Sequence, residues 1–176
     1  MVYTYPCNET RKSDNKISNF SWVIPNVLAG CAEPGRNYFK TQGSHLYDNL
    51  DELYNKGIRC LVSLEKLPEN AYKLCEKAGL MWLYYPIQDF STPEDIKTFS
   101  NMVKKVSEIA SDKTPVCVHC GAGIGRTGMV LSCIVSYMFQ MKSGDSIEAI
   151  DSVRSSFDTL AQRDFVKKFC RRMKIK

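Results

Sequence analysis

Two hydrophobic rhythms alternate along the chain. Short apolar runs of strand character occupy 21–25, 27–29, 59–64, 80–87 and 114–118, with a turn at Pro25-Asn26 between the first two. Between them, apolar positions recur every three to four residues over 45–56, 70–78 and 160–172, the spacing of one helix face. Gly57 and Gly79 stand where the first two of these helices should end. Thr92 offers a cap, Pro93 fits a first helical position, and Glu94 and Asp95 suit the positive end of a helix running to about residue 111. The stretch 125–140 reads as a buried core helix: Thr127 to Met141 carries no charge, yet its fifteen residues are too few to span a membrane. Asp145-x-x-Glu148 has the form of a capping box opening another helix. Strands alternating with helices predict an α/β fold, a central and mostly parallel sheet with helices on both faces.

Composition narrows the class. With 176 residues, ten glycines, seven prolines and 44% hydrophobic residues, the chain is neither collagen-like nor disordered and has the size of a single domain. A polar arm, 1–18, precedes a domain expected over 19–176; a Gly- and Pro-marked loop covers 32–43. The net charge of +5 suits an anionic substrate without demanding nucleic acid, and none is expected. Residues 1–19 lack the apolar core of a secretory signal, which points to a cytoplasmic, also nuclear, protein whose Asn8 and Asn19 sequons stay unmodified. In such a compartment the eight cysteines read mostly as buried free thiols. Lys167, Lys168, Arg171, Arg172 and Lys176 share one side of the last helix, a solvated basic face.

The chemistry concentrates in Val116-Cys117-Val118-His119-Cys120-Gly121-Ala122-Gly123-Ile124-Gly125-Arg126-Thr127-Gly128, where a buried strand passes through a glycine-rich loop into a helix. At such a junction successive main-chain N–H groups converge and the helix N-terminus adds positive potential, so the loop Gly121, Ala122, Gly123, Ile124, Gly125 can cradle a phosphate. Cys120 opens the loop and Arg126 closes it. A thiolate nucleophile and a guanidinium that grips two phosphate oxygens can therefore face one ligand, and the same positive field favours the thiolate.

Other readings of this segment fail on spacing. Gly123-Ile124-Gly125-Arg126-Thr127-Gly128 matches G-x-G-x-x-G, but no strand ending in an acidic residue follows about twenty residues later. A Walker-type loop would need lysine where Arg126 stands. Cys117-x-x-Cys120 has no second Cys/His pair at a metal-ligand spacing, so no metal and no cofactor are expected.

His119-Cys120-x5-Arg126-Thr127, with Gly123 in between, resembles the H-C-x-x-G-x-x-R-S/T signature of the cysteine-dependent protein phosphatases. Asn19-Phe20-Ser21-Trp22-Val23-Ile24-Pro25 with Leu28-Ala29-Gly30, the Asp89-Phe90 pair and the region from Arg154 to Gln162 are similar to the small atypical dual-specificity phosphatases of the VHZ type. The resemblance covers nearly all of 19–172 and implies a single phosphatase domain on a five-stranded sheet, without a cofactor. The loop 31–44 is longer than in that group, and Gln88 stands where proline often precedes the acid.

The resemblance also implies roles. Cys120 attacks phosphorus, Arg126 and the loop amides stabilise the equatorial oxygens, and Asp89, 31 residues earlier, is the general acid and then the base for water. Thr127 donates a hydrogen bond to the departing sulfur, His119 orients the loop, and Gln162 positions water unless it sits on an exposed helix face. The uncharged positions Gly121, Ala122, Ile124 and Gly125 favour a phosphoprotein substrate, a tyrosine or serine/threonine monoester, over polyphosphorylated lipids or RNA 5′-triphosphates. A non-catalytic phosphate-binding module would not need Cys120, Arg126 and Asp89 together. A monomer is expected.

Overall fold

The computed structural model describes residues 16–36 and 45–175. Five strands, β1 (Ser21–Ile24), β2 (Leu28–Cys31), β3 (Cys60–Ser63), β4 (Met81–Tyr84) and β5 (Val116–His119), form one sheet in the order β1-β2-β5-β3-β4. Only the β1–β2 hairpin is antiparallel; β2, β5, β3 and β4 run parallel, as the alternation of types requires. The helices are α1 (Leu46–Asn55), α2 (Ala71–Lys77), α3 (Ile96–Ser111), α4 (Gly125–Phe139), α5 (Ser143–Asp151) and α6 (Leu160–Arg172). Residues 1–15 of the arm, 37–43 of the loop and Lys176 lie outside the described residues, while the end of the arm is packed: Ile17 is buried and its N–H donates to Glu52 Oε2 at 2.7 Å.

Two cores sandwich the sheet, and strand alternation assigns each residue to one of them. Val116 and Val118 of β5 pack with Leu28, Cys60 and Val62 against α3, α4 and α6; Cys117 packs with Ala29, Cys31 and Leu61 against α1 and α2. Helix α4 is buried on every side from Gly125 to Ser136, enclosed by α3, α5 and α6, which is why its sequence shows little amphipathic pattern. Lys167, Lys168, Arg171 and Arg172 face solvent on α6 while Phe165 and Phe169 are buried.

Two helix starts differ from expectation. Helix α3 is capped by Asp95, whose carboxylate accepts from Lys97 N (3.0 Å) and Thr98 N (2.9 Å) and also from the Thr98 hydroxyl. A charged acceptor holding three donors outcompetes the neutral Thr92 hydroxyl, so the helix begins a turn late and Thr92-Pro93-Glu94 remain loop. Helix α5 begins at Ser143, which puts Asp145 inside the first turn, where it complements the helix dipole without capping.

The register brings Cys31, His119 and Ser63 side by side at the carboxyl ends of β2, β5 and β3. After β2 and β3 the chain passes to α1 and α2 on one face of the sheet, whereas after β5 it passes to α4 on the other, so a crevice opens at the carboxyl end of β5, where open parallel sheets place their ligands.

Candidate active site

From the end of β5 the main chain curls through Cys120–Gly125 into α4. Its successive carbonyls are held from outside. Cys120 O lies 3.2 Å from His119 Nδ1, Gly121 O accepts from Glu33 N (2.9 Å), Ala122 O from Asn19 Nδ2 (3.1 Å), and Gly123 O from both Asn19 Nδ2 (3.0 Å) and Arg154 Nη2 (2.6 Å). A planar trans peptide points its N–H opposite to its C=O, so these outward carbonyls turn the amides of Gly121, Ala122, Gly123 and Ile124 inward. The result is an anion nest at the N-terminus of α4, with Cys120 opening it and only 3% exposed.

Gly123 has φ +72, and a Cβ there would lie 2.3 Å from Cys31 O, so both conformation and space demand glycine. At Gly125 a Cβ would fall on the Asp158 carboxylate and within 2.8 Å of Gln162 Oε1, which brings the start of α6 against the loop.

Arg126 is 3% exposed, and both terminal nitrogens of its guanidinium have partners. Nη1 donates to Ile87 O and pairs with Glu65 Oε2, both at 2.8 Å; Nη2 meets Asp89 Oδ1 at 2.7 Å. Asp89 lies on the segment between β4 and α3 with its side chain 61% exposed, so one carboxylate reaches the buried arginine while open to solvent. The late start of α3 leaves this segment as loop.

His119 is fully buried. Its Nε2 lies 2.6 Å from Ser63 Oγ, which accepts from Trp82 Nε1 at 2.7 Å. A carbonyl can only accept, so Nδ1 carries the proton toward Cys120 O and Nε2 accepts from the Ser63 hydroxyl. A chain of donors thus runs from Trp82 through Ser63 and His119 to the nucleophile's own carbonyl. Burial pushes the His119 pKa down to about 4, keeping the ring neutral as this relay requires.

The remaining candidates are buried too. Gln162 is fully buried, which overturns the exposed-face reading; its Oε1 accepts from Asp158 N (2.8 Å) and its Nε2 has no partner among the described residues. Thr127 Oγ1 is buried and likewise without a partner there, so the expected hydrogen bond to the Cys120 sulfur is not formed in this structure. Cys117 faces the opposite side of β5 and its sulfur lies 3.4 Å from that of Cys31.

Sequence reasoning missed the clamp around the loop. Arg154 is 6% exposed and donates to Ser21 Oγ (3.0 Å), Asn19 O (3.1 Å) and Gly123 O; burial lowers its pKa. It fits because Gly30 has no side chain: a Cβ there would lie 2.2 Å from Arg154 Nη1. Asn19 adopts φ +52 to bring its amide onto the loop carbonyls; Asn8 lies outside the described residues. Glu65, the counter-ion of Arg126, was also missed. Only pattern matching to the resembling group touched Asn19 and Arg154, because their partners are more than thirty residues away in sequence.

A parallel α/β sheet with a cysteine–arginine anion loop at the end of its central strand defines a cysteine-based phosphatase. Residues 35–140 match the family described as "Tc-R-P: Polymorphic toxin system, DSP-PTPase phosphatase". The chain belongs to this DSP-PTPase family. It is 26% identical over 155 residues to cyclin-dependent kinase inhibitor 3 of Homo sapiens, covering 81% of this chain and 71% of that protein. It is 29% identical over 145 residues to dual specificity protein phosphatase CDC14B of Mus musculus, covering 77% of this chain and 27% of that one. A solved structure of kinase associated phosphatase, with its catalytic-site cysteine replaced by serine, superposes with a TM-score of 0.77 at 19% identity, over 90% of this chain and 97% of that one. The expected fold, a single α/β domain on a five-stranded, mostly parallel sheet, is the one observed.

Proposed function

We propose that the chain is a protein phosphatase that hydrolyses phosphotyrosine and phosphoserine/phosphothreonine monoesters through a cysteinyl-phosphate intermediate, without metal or cofactor. The observation that carries this is the loop itself: inward amides around Cys120, with Arg126 bonded at 2.7 Å to a solvent-open carboxylate, Asp89. The Cys120 thiolate attacks phosphorus in line; the S–P bond forms as the P–O bond to the leaving group breaks, and the leaving oxygen takes the Asp89 proton. Loop amides and Arg126 hold the three equatorial oxygens throughout. In the second half-reaction Asp89 removes a proton from water, the resulting hydroxide attacks phosphorus, and the S–P bond breaks to regenerate the thiolate. Rotation of the buried Thr127 hydroxyl toward sulfur would ease that departure, and the unpartnered Gln162 amide suits water positioning. His119 acts as a positioning residue, through the Cys120 carbonyl.

Within the family, the Asn19-Phe20-Ser21-Trp22 segment and the Arg154 to Gln162 region support membership of the small atypical VHZ-type group. Seven free buried cysteines among the described residues fit a reducing compartment, the cytoplasm or nucleus, and a monomer acting on phosphoprotein is the simplest form. No helix among the described residues is long and apolar enough to cross a membrane.

The test is rapid acid quench with an aryl phosphate in EDTA, followed by peptide mass mapping. A phosphoryl adduct on Cys120, with turnover lost by about 10⁵-fold in Cys120→Ser, is expected. Full turnover in Cys120→Ser, or activity that EDTA abolishes, would refute the mechanism.

A further inference from the structure

The side chains of the loop carry no charge besides Arg126, but the fold delivers a second cation from a distant segment. After β2 the turn Glu33–Arg36 is tied to the loop by Glu33 N→Gly121 O (2.9 Å) and to α1 by Gly35 N→Asn49 Oδ1 (2.8 Å). Gly35 has φ +79 and no room for a Cβ beside Leu46, so this turn has one geometry. An ion pair with Glu33 at 3.8 Å orients the Arg36 guanidinium. The space a Cβ on Gly121 would occupy lies 2.4 Å from Arg36 Nη1 and 3.5 Å from Arg126 Nη2. Two guanidinium groups therefore meet over one glycine at the rim of the nest, and the mechanism uses only Arg126.

Arg36 also lines a cleft of about 380 Å³ together with Lys66, whose neighbour Glu65 holds Arg126. Leu46, Leu67 and two prolines form apolar walls. We infer that Arg36 and Lys66 receive a second anionic group of the substrate, selecting phosphopeptides with an acidic side chain one or two positions from the phosphorylated residue. This rests on the phosphatase reading and specifies its substrate class. Glu33 and Glu65 already balance part of the positive charge of Arg36, Lys66 and Arg126, so one more carboxylate is matched while the further charges of a polyphosphorylated headgroup would find no counter-ion. The apolar walls suit the stem of a peptide side chain.

The experiment is calorimetric titration of the full chain carrying Cys120→Ser with paired phosphotyrosine peptides that differ only in flanking Asp/Glu against Asn/Gln. The acidic peptide should bind about five- to tenfold more tightly. Adding Arg36→Gln or Lys66→Gln should bring the ratio toward one, and Arg36→Glu should invert it in favour of lysine-flanked peptides. Equal affinities in the Cys120→Ser parent, or a ratio that survives Arg36→Gln, would overturn the subsite. An Arg36-dependent gain for vesicles of a bisphosphorylated inositol lipid, absent with peptides, would overturn the peptide assignment. Turnover of the neutral peptide by the unsubstituted chain is followed in parallel: its absence counts against the phosphatase reading alone, since the affinity ratio is read without catalysis.

Discussion

The loop that carries the nucleophile and the loop that carries the acid are built on opposite principles. Residues from before β1, after β2, and after α5 converge on the Cys120–Gly125 main chain and hold its carbonyls. The Asp89 segment is tethered near its start by Tyr85 N→Ser63 O (2.9 Å) and Ile87 N→Leu64 O (3.1 Å), and beyond that mainly by Asp89 itself on Arg126. Phe90, at φ +55, is 64% exposed beside it. An electrostatic cradle must be in place before charge develops, because dipoles that reorient during the reaction forfeit their advantage. A proton donor must instead serve a leaving group that enters and departs. One region is therefore over-determined and buried, and the other is lightly held and open.

Between the two loops, breaking the clamp should have the broader effect, on stability and rate together. Arg154→Met removes the guanidinium donor from Asn19 O and leaves Gly123 O only the Asn19 amide, and a buried carbonyl left unsatisfied costs about 1–3 kcal/mol. Both thermal stability and kcat/KM on aryl phosphates should fall, the latter by about 100-fold or more. A variant with normal melting and normal kinetics would erase the distinction between the two loops.

Asp89→Asn should leave the melting temperature nearly unchanged, since the residue is mostly exposed. It should slow hydrolysis of alkyl or phenyl phosphates by about 10²–10³-fold, with much smaller loss for a good leaving group that departs without a proton. Equal losses across leaving groups would assign the acid elsewhere, with Asp158 beside Gly125 the next carboxylate to replace.

His119 sharpens the comparison through pH. Its pKa is about 4 folded against 6.5 for the free side chain, so between these values the unfolded chain binds more protons. Its contribution is complete above about pH 6.5 and is lost as pH falls toward 4. His119→Asn should flatten the fall in melting temperature over that window, and an unchanged slope would mean the imidazole is not held neutral.

Asp95 should have the smallest effect. Hydrogen bonds from Thr98 and Lys97 hold its pKa near 2, so its cap is present above the ordinary carboxylate pKa and is lost only as pH falls toward 2. The melting difference between the native chain and Asp95→Ala should be small at neutral pH and vanish near pH 2.

Much of this was legible in the amino-acid order. Apolar runs located the five strands, a 3.6-residue period three helices, and cap residues or a long uncharged stretch the other three, because burial and helix ends write themselves locally, although the starts of α3 and α5 fall elsewhere. The nucleophile loop was legible for the same reason: strand, glycine-rich turn, Cys120, Arg126 and helix are contiguous. Even Gly123 follows from the motif, although the reason for it, the Cys31 carbonyl that would lie 2.3 Å from any Cβ, belongs to another strand. What tertiary structure alone decided is everything that reaches the loop across long sequence separations. Arg154 under Gly123, Asn19 on two loop carbonyls, Ser63 and Trp82 behind His119, and Arg36 over Gly121 are contacts made by register and packing. A local pattern records which face of an element is buried. It does not record which distant partner completes a polar group's hydrogen bonds, and in this molecule those partners determine the shape and charge of the site.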